Sequence, residues 1–170
     1  MSNHSEDAPI IWEEGINTTG GDEGMFRNFL EQFEDLTFTE NMENLFDAMM
    51  KMDYPNIHTW AHRIKGPASY IAAKRWAELS KELIAASDKN DEKTVIDLYL
   101  KLLIESKALL VYLAKVLNKT PNLANLERYD QEFRAKYSKS RNMRVGEAKA
   151  IELDLPNHQP PGCCAACNIF

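Results

Sequence analysis

The chain has 170 residues, with 26 acidic residues against 20 lysines and arginines, and its formal net charge is −6. An acidic chain with no basic stripe argues against nucleic acid as a partner. No apolar run approaches the roughly 20 residues that span a bilayer as a helix. No glycine-rich phosphate loop or Ser-His-Asp arrangement is present, so we predict no ATP-dependent kinase activity of its own.

The first half of the chain carries several helix signals and no strand alternation. Asp22 opens a segment in which phenylalanine and leucine recur at helical spacing. Thr37 and Glu40 have the spacing of a capping box, which predicts that a second helix starts there. Residues 53–56, Asp-Tyr-Pro-Asn, predict the end of that helix and the start of the next.

Two further helices are predicted after the third, over about residues 76–87 and 95–116, from their apolar periodicity. The connections between helices are short, which favours antiparallel neighbours. The sequence therefore predicts an all-α fold, namely an antiparallel four-helix bundle with an additional N-terminal helix. We expect residues 1–9 to form a flexible N-terminus.

The third of these predicted helices presents a histidine opposite its apolar stripe. At about 100° per residue, the apolar residues gather roughly 160° to 260° away from His62. That stripe comprises Ile57, Trp60, Ala61, Ile64, Ala68 and Ile71. The residues within roughly 60° of His62 are His58, Lys65, Gly66 and Ser69. We therefore expect His62 to face solvent.

The neighbours of His62 suit a phosphoryl acceptor. Neutral imidazole is a nucleophile near neutral pH. Lys65, one turn along, supplies a compact positive charge that can balance phosphoryl oxygens. Gly66 costs helix stability, which suggests that something approaches the helix closely there. An ordinary exposed histidine on a solvated charged face is the alternative.

Histidine followed by lysine at plus three and glycine at plus four resembles the signature of histidine-containing phosphotransfer (HPt) domains. The resemblance spans residues 10–117 and includes Gly20-Gly21-Asp22 and Asp53-Tyr54, the latter as in plant-type phosphotransfer proteins. It implies that His62 lies on the second helix of the bundle.

Two positions depart from the HPt pattern. Pro67 and Ala68 stand where small hydroxyl residues usually follow the glycine, and Ala72 stands where the family usually has glycine. Pro67 lacks a backbone donor, which predicts a kink just past the site. Ser69 lies on the histidine face, and we expect its hydroxyl to replace the missing hydrogen bond near the imidazole.

The resemblance implies a phosphorelay carrier rather than an enzyme. Its histidine would accept a phosphoryl group from a receiver-domain aspartate and pass it to another receiver. The implied partners are response-regulator receiver domains and hybrid histidine kinases. Magnesium is expected on the partner receiver, with no cofactor on this chain, which is expected to be a monomer. A lipid-anchored helical adaptor without phosphotransfer is the alternative.

The C-terminal region differs in composition from the rest. Thr120-Pro121 ends the bundle, and an extra helix is predicted over residues 118–138, packing back through its apolar residues. Residues 139–170 read as a basic and Pro-rich linker with a lipidation signal. From residue 134 onward six lysines and arginines face three acidic residues, so this part carries +3 while the remainder carries −9.

All three cysteines lie in the last eight residues. Cys167 is fourth from the end, before Asn168, Ile169 and a terminal phenylalanine, which matches a C-a-a-X prenylation box. Cys163 and Cys164 are predicted palmitoylation sites that supply the second membrane signal. The predicted location is the cytosolic face of a membrane, reached through the lipid anchor.

The cysteines and histidines also suggest metal binding or disulfides, and the sequence supports these uses less well. His158 and the three cysteines could bind zinc, although adjacent cysteines at a chain end hold a tetrahedral site poorly. A disulfide framework fits an odd cysteine count badly. His58 and His62 are four residues apart, but the segment between them lacks the glutamate of zinc proteases and no third ligand is evident. We therefore predict no metal site.

Overall fold

The computed structural model describes residues 8–137, and the predictions for the first seven residues and for residues 138–170 lie outside the described part. Three of those predictions concern Cys163, Cys164 and Cys167. Within residues 8–137 the chain is helical and contains no strand, which confirms the all-α class. No helix in this part is long and apolar enough to cross a membrane.

Seven α-helices and one π-helical stretch make up the described part of the chain. The α-helices are Trp12–Thr18 (α1), Glu23–Phe33 (α2), Met42–Lys51 (α3), Tyr54–Tyr70 (α4), Lys74–Asp88 (α5), Glu92–Val116 (α6) and Ala124–Tyr137 (α7). The π-helical stretch, Glu34–Asn41, lies between α2 and α3 and is called the π segment below.

The predicted helix start at Thr37 is wrong. The backbone stays helical through Phe33, Asn41 and Met42, so α2, the π segment and α3 form one uninterrupted run. Thr37 is buried inside that run. A capping residue instead needs an extended backbone at a helix end. The capping-box spacing of Thr37 and Glu40 is therefore coincidental.

Packing against Trp76 gives the π segment a physical reason. In an α-helix, side chains five residues apart diverge by roughly 140°, whereas a wider π turn, with its i to i+5 hydrogen bond, brings them closer to one face. Phe33 and Phe38 are five apart, and their rings pack edge-to-face with centroids 5.9 Å apart. Both ring centroids lie 5.6 Å from Trp76. The wide turns thus bring two phenylalanines onto one tryptophan of α5.

Short connections with well-defined ends join α3 to α6. Asp53 and Asp91 cap the N-termini of α4 and α6 by accepting backbone N–H bonds, each at 3.2 Å. Ala72, between α4 and α5, has φ of 57°, in the left-handed region that favours glycine. Alanine thus holds at this position a backbone conformation in which glycine would be unstrained.

The two helices that carry and support His62 run antiparallel. His58, in the second turn of α4, contacts Asp88, the last residue of α5. Trp76 at the start of α5 donates a buried hydrogen bond of 2.8 Å to Ser106 in the middle of α6. The core between these helices is therefore mostly apolar, and the Trp76–Ser106 hydrogen bond crosses it.

Helix α7 packs onto α3 and α6, in the stretch where the sequence predicts an extra helix. Its buried residues are Leu126, Tyr129 and Phe133. Tyr129 stacks on Phe46 of α3 at 4.6 Å, and Phe133 contacts Tyr99 of α6 at 4.7 Å. At its end, Tyr137 donates to the carbonyl of Met49. The end of α7 therefore satisfies a backbone carbonyl at the C-terminus of α3.

Candidate functional site around His62

Helix α4 orients the site by burying one face. Ile57, Ala61, Ile64 and Ala68 have no exposed surface, so they fix the rotation of the helix. His62, on the opposite face, is exposed. The periodicity of the apolar residues thus determines which way the histidine points.

The His62 side chain is free of hydrogen bonds and ion pairs within residues 8–137. Its ring contact within the described residues is with His58, whose ring centroid lies 6.4 Å away with the two ring planes 3° from parallel. Both imidazole nitrogens are therefore available to an incoming group. A nucleophile that is already solvent-facing and uncommitted loses no internal contact when it reacts.

His58, by contrast, is held by a carboxylate. Its Nδ1 lies 2.7 Å from Oδ1 of Asp88. An ionised carboxylate only accepts hydrogen bonds, so Nδ1 donates and Nε2 carries the lone pair when His58 is neutral. Sequence reasoning missed Asp88, because 30 residues separate the two partners and only the antiparallel packing of α4 and α5 joins them.

Lys65 is a cation near His62 that is not engaged by a carboxylate of the described residues. It makes no ion pair with any residue between 8 and 137, whereas its neighbours are engaged. Arg63 stacks over the Trp60 ring at 4.6 Å. Lys74 and Arg75 each lie 2.6 Å from a carboxylate, on α1 and α6 respectively. Among Arg63, Lys65, Lys74 and Arg75, Lys65 is thus the one with neither an ion pair nor a ring contact within residues 8–137.

The surface beside His62 is open at Gly66. A Cβ built on Gly66 meets nothing within 4 Å outside its chain neighbours. Tertiary packing within the described chain therefore does not require glycine here. The next residue, Pro67, lies inside α4, which continues to Tyr70. A residue before proline is crowded in the helical region when it has a Cβ, so Pro67 itself is one reason for the glycine.

Ser69 is exposed on α4, one helix turn beyond Lys65. Its hydroxyl donates to the carbonyl of Lys65 at 3.0 Å, within its own helix. Seven residues of helix also place it about 10 Å along the axis from His62. Within residues 8–137 Ser69 therefore makes no hydrogen bond to the His62 ring, and a role for its hydroxyl toward a group bound farther along α4 stays a prediction.

An apolar groove of about 380 Å³ runs between α4 and the α2–π run, beginning at Gly66. Its exposed walls are Leu36, 60% exposed, and Tyr70, 57% exposed. Phe29 packs edge-on against Tyr70 at 5.8 Å. From the sequence we expect a docking surface on exposed residues of the Phe38–Met50 stretch and of the histidine helix. Tyr70 lies on that helix, whereas Leu36 was missed. Most apolar side chains of the Phe38–Met50 stretch are buried.

No group of three or more potential metal ligands lies within the described 130-residue part, 8–137. The three cysteines and His158 fall outside it. No protein-family model matches the chain, and neither the curated proteins nor the solved structures contain a match. The functional argument therefore depends on the site itself.

Proposed function

We propose that this protein is a phosphorelay carrier of the HPt type, which accepts a phosphoryl group on His62 from a receiver-domain aspartate. It then passes the group to another receiver. It is a phosphocarrier with no ATP-dependent kinase activity of its own. In this proposal α3 to α6 act as the antiparallel four-helix bundle, and α1 and α2 are additions before it.

The observation that carries the proposal is the uncommitted His62 beside the unpaired Lys65 on a helix anchored by its other face. A structural histidine is normally buried or bonded, as His58 is to Asp88. A free imidazole next to a free ammonium and an open surface at Gly66 is instead what a transient phosphoryl group needs.

The transfer step follows from this geometry. A neutral imidazole nitrogen of His62 attacks phosphorus in line with the departing aspartyl oxygen, so an N–P bond forms as the O–P bond breaks. The aspartate leaves as a carboxylate. The transition state is loose and spreads charge over three oxygens, so alignment and charge balance supply most of the catalysis. Lys65 balances that charge from one side, and the receiver supplies magnesium and its own acidic residues.

The groove beside Gly66 is the proposed docking surface for the receiver. Its wall includes two large apolar side chains that are exposed, Leu36 and Tyr70. Clustered exposed apolar side chains next to a reactive group are typical of a partner interface. A partner seated there reaches His62 across Gly66, where no side chain intervenes. The hybrid histidine kinases and response regulators of a phosphorelay both present such a receiver.

The tail supports a membrane location for the carrier. The C-a-a-X sequence at Cys167 is a prenylation signal, and Cys163 and Cys164 supply a second lipid signal. We therefore place the protein on the cytosolic face of a membrane. Cys167→Ser should release it into the soluble fraction, because prenylation precedes the later acylation. Membrane retention of that variant in cell fractionation contradicts the anchor.

The phosphoryl test uses the full chain and a receiver domain charged with labelled phosphate. Wild type should acquire acid-labile, base-stable label, as N-phosphohistidine does. His62→Gln should acquire none while keeping its helical circular dichroism, because the side chain contacts no core residue. His158→Gln, a matched change in the predicted linker, should still be labelled. Label retained by His62→Gln refutes His62 as the acceptor. If the wild-type protein takes up no label, the phosphorelay proposal fails and the adaptor without phosphotransfer is the remaining function.

A second variant tests the ammonium. Lys65→Ala should slow transfer about tenfold or more, which corresponds to losing one partly screened charge near the phosphoryl oxygens. Lys101→Ala, an exposed lysine of α6, is the matched control. Equal single-turnover rates for the two variants assign Lys65 to the ordinary charged surface.

A further inference from the structure

We propose that His58 and His62 form a binding site for a divalent transition-metal cation such as Zn²⁺, Ni²⁺ or Cu²⁺. Residues four apart lie on one helix face. The two rings are parallel within 3° and their centroids are 6.4 Å apart. Imidazole nitrogens suit these metals, whereas Mg²⁺ and Ca²⁺ prefer oxygen ligands.

The hydrogen bond to Asp88 prepares His58 as a ligand. Metal-bound histidines commonly donate their other ring N–H to a carboxylate, which fixes the tautomer and raises the basicity of the ligating nitrogen. The Nδ1–Oδ1 distance of 2.7 Å between His58 and Asp88 supplies that arrangement with no metal needed to create it. The sequence spacing alone showed two histidines, and the structure adds this third participant.

The distance between the rings is close to what an ion requires. With metal–nitrogen bonds of about 2.0–2.1 Å in tetrahedral geometry, two coordinating rings have centroids roughly 5 Å apart. The two rings are stacked, so their in-plane lone pairs do not yet converge on one point. His62 must therefore rotate out of the stack, so that its lone pair points to an ion lying in the plane of the His58 ring, and approach His58 by about 1 Å. His62 is exposed and makes no hydrogen bond within residues 8–137. This movement therefore breaks no hydrogen bond in that part of the chain.

The site is open rather than closed. The described residues 8–137 contain no group of three ligands, so this part of the chain contributes two imidazoles and leaves the other coordination positions to water or to another group. An open site of this kind exchanges its ion readily, in contrast to a structural zinc site with four protein ligands. Occupancy should therefore follow the free metal concentration.

Occupancy has a functional consequence, which rests on the proposed function. A metal on the His62 nitrogen takes the lone pair that would attack phosphorus. The cation and the phosphoryl group then compete for the same atom. Metal binding itself does not depend on phosphotransfer and can be measured separately.

Binding is tested on the full chain with Cys163, Cys164 and Cys167 changed to serine, which removes competing thiols. Zn²⁺ is titrated in competition with a chromophoric chelator. His58→Gln and His62→Gln should each weaken binding at least about tenfold, and Asp88→Asn should weaken it about tenfold through the second ligand shell. His158→Gln is the matched control and should bind as the parent does.

Histidine ring resonances provide an independent readout. Zn²⁺ should shift the ring signals of His58 and His62 together at one equivalent, while MgCl₂ shifts neither. Parent affinity retained by His58→Gln, or a shift confined to other histidines, overturns the site. Retained affinity in Asp88→Asn alone shows that the carboxylate is dispensable and overturns its part of the argument.

The competition is tested separately by the ratio of phosphotransfer rates with and without Zn²⁺ in each protein. Inhibition should track the measured occupancy in the parent and require a higher concentration in His58→Gln. Zinc bound at the two rings without inhibition rejects the competition but keeps the site. If the parent takes no phosphate at all, the proposed function fails while the binding result stands.

Discussion

Replacing Pro67 with alanine should stabilise the protein. Pro67 lies three residues before the end of α4, inside the helix. It lacks the N–H that would donate to the carbonyl of Arg63, four residues earlier. It also crowds that turn, so this helix persists against a local penalty that the buried face on its other side offsets.

The size of the effect follows from two opposing contributions. Proline is about 3 kcal/mol less favourable than alanine in a helix interior. Its fixed φ also restricts the unfolded chain, and this stabilises the folded protein by roughly 0.4–1 kcal/mol relative to alanine. Pro67→Ala should therefore raise the free energy of unfolding by about 2 kcal/mol. For a domain of this size the melting temperature should rise by about 6 °C.

Pro55 provides a matched control in the same helix. It occupies the first turn of α4, where the backbone N–H would have no helical partner in any case. Pro55→Ala should therefore leave stability unchanged or lower it by roughly 0.4–1 kcal/mol, through the unfolded chain. Urea denaturation followed by circular dichroism measures both variants. A Pro67→Ala variant no more stable than Pro55→Ala refutes the reasoning.

Three other changes have expected outcomes. Burial raises the pKa of Asp130, but hydrogen bonds and charges from its two cationic partners outweigh this and leave that pKa below its ordinary value of 3.8. Its contribution to stability is complete above about pH 4 and is lost as the pH falls through the lowered value, so Asp130→Asn should flatten the acid limb of a stability–pH curve. Gly15→Ala places a Cβ 2.1 Å from the buried Phe26 ring, so it should destabilise by about 1–3 kcal/mol in urea denaturation. Asp53→Ala should cost about 1 kcal/mol by removing the cap of α4, and Asp53→Asn should cost less.

The helices with a regular apolar period were predictable from the sequence. The stripe from Ile57 to Ile71 repeats at 3.6 residues, so its rotation and the exposure of His62 follow directly. The π segment was not predictable in this way. There the chain turns with a wider period, so that Phe33 and Phe38 can meet Trp76, a partner some 40 residues away. The apolar residues of such a stretch do not repeat every 3.6 residues, so the sequence pattern suggests that the helix ends there. Thr37 then resembles the start of a new helix.

For the candidate site, too, the sequence predicts features within one helix but not contacts between helices. Lys65 and Gly66 share a helix face with His62, and helical geometry alone requires that. The Asp88 partner of His58 and the groove walls at Leu36 and Tyr70 arise from contacts between helices. Such contacts depend on how far each helix slides along its neighbour, which apolar spacing within one helix does not specify.

The order of helix contacts has a consequence for how the chain folds. From α3 to α7 each helix packs against the next one along the sequence, and such local contacts favour rapid folding. Two hydrogen bonds join residues far apart in the sequence: Tyr137 donates to the carbonyl of Met49, and Arg27 donates to the carbonyl of Val116. We expect these closing contacts to form after the folding transition state. Weakening them should then accelerate unfolding while leaving the refolding rate nearly constant.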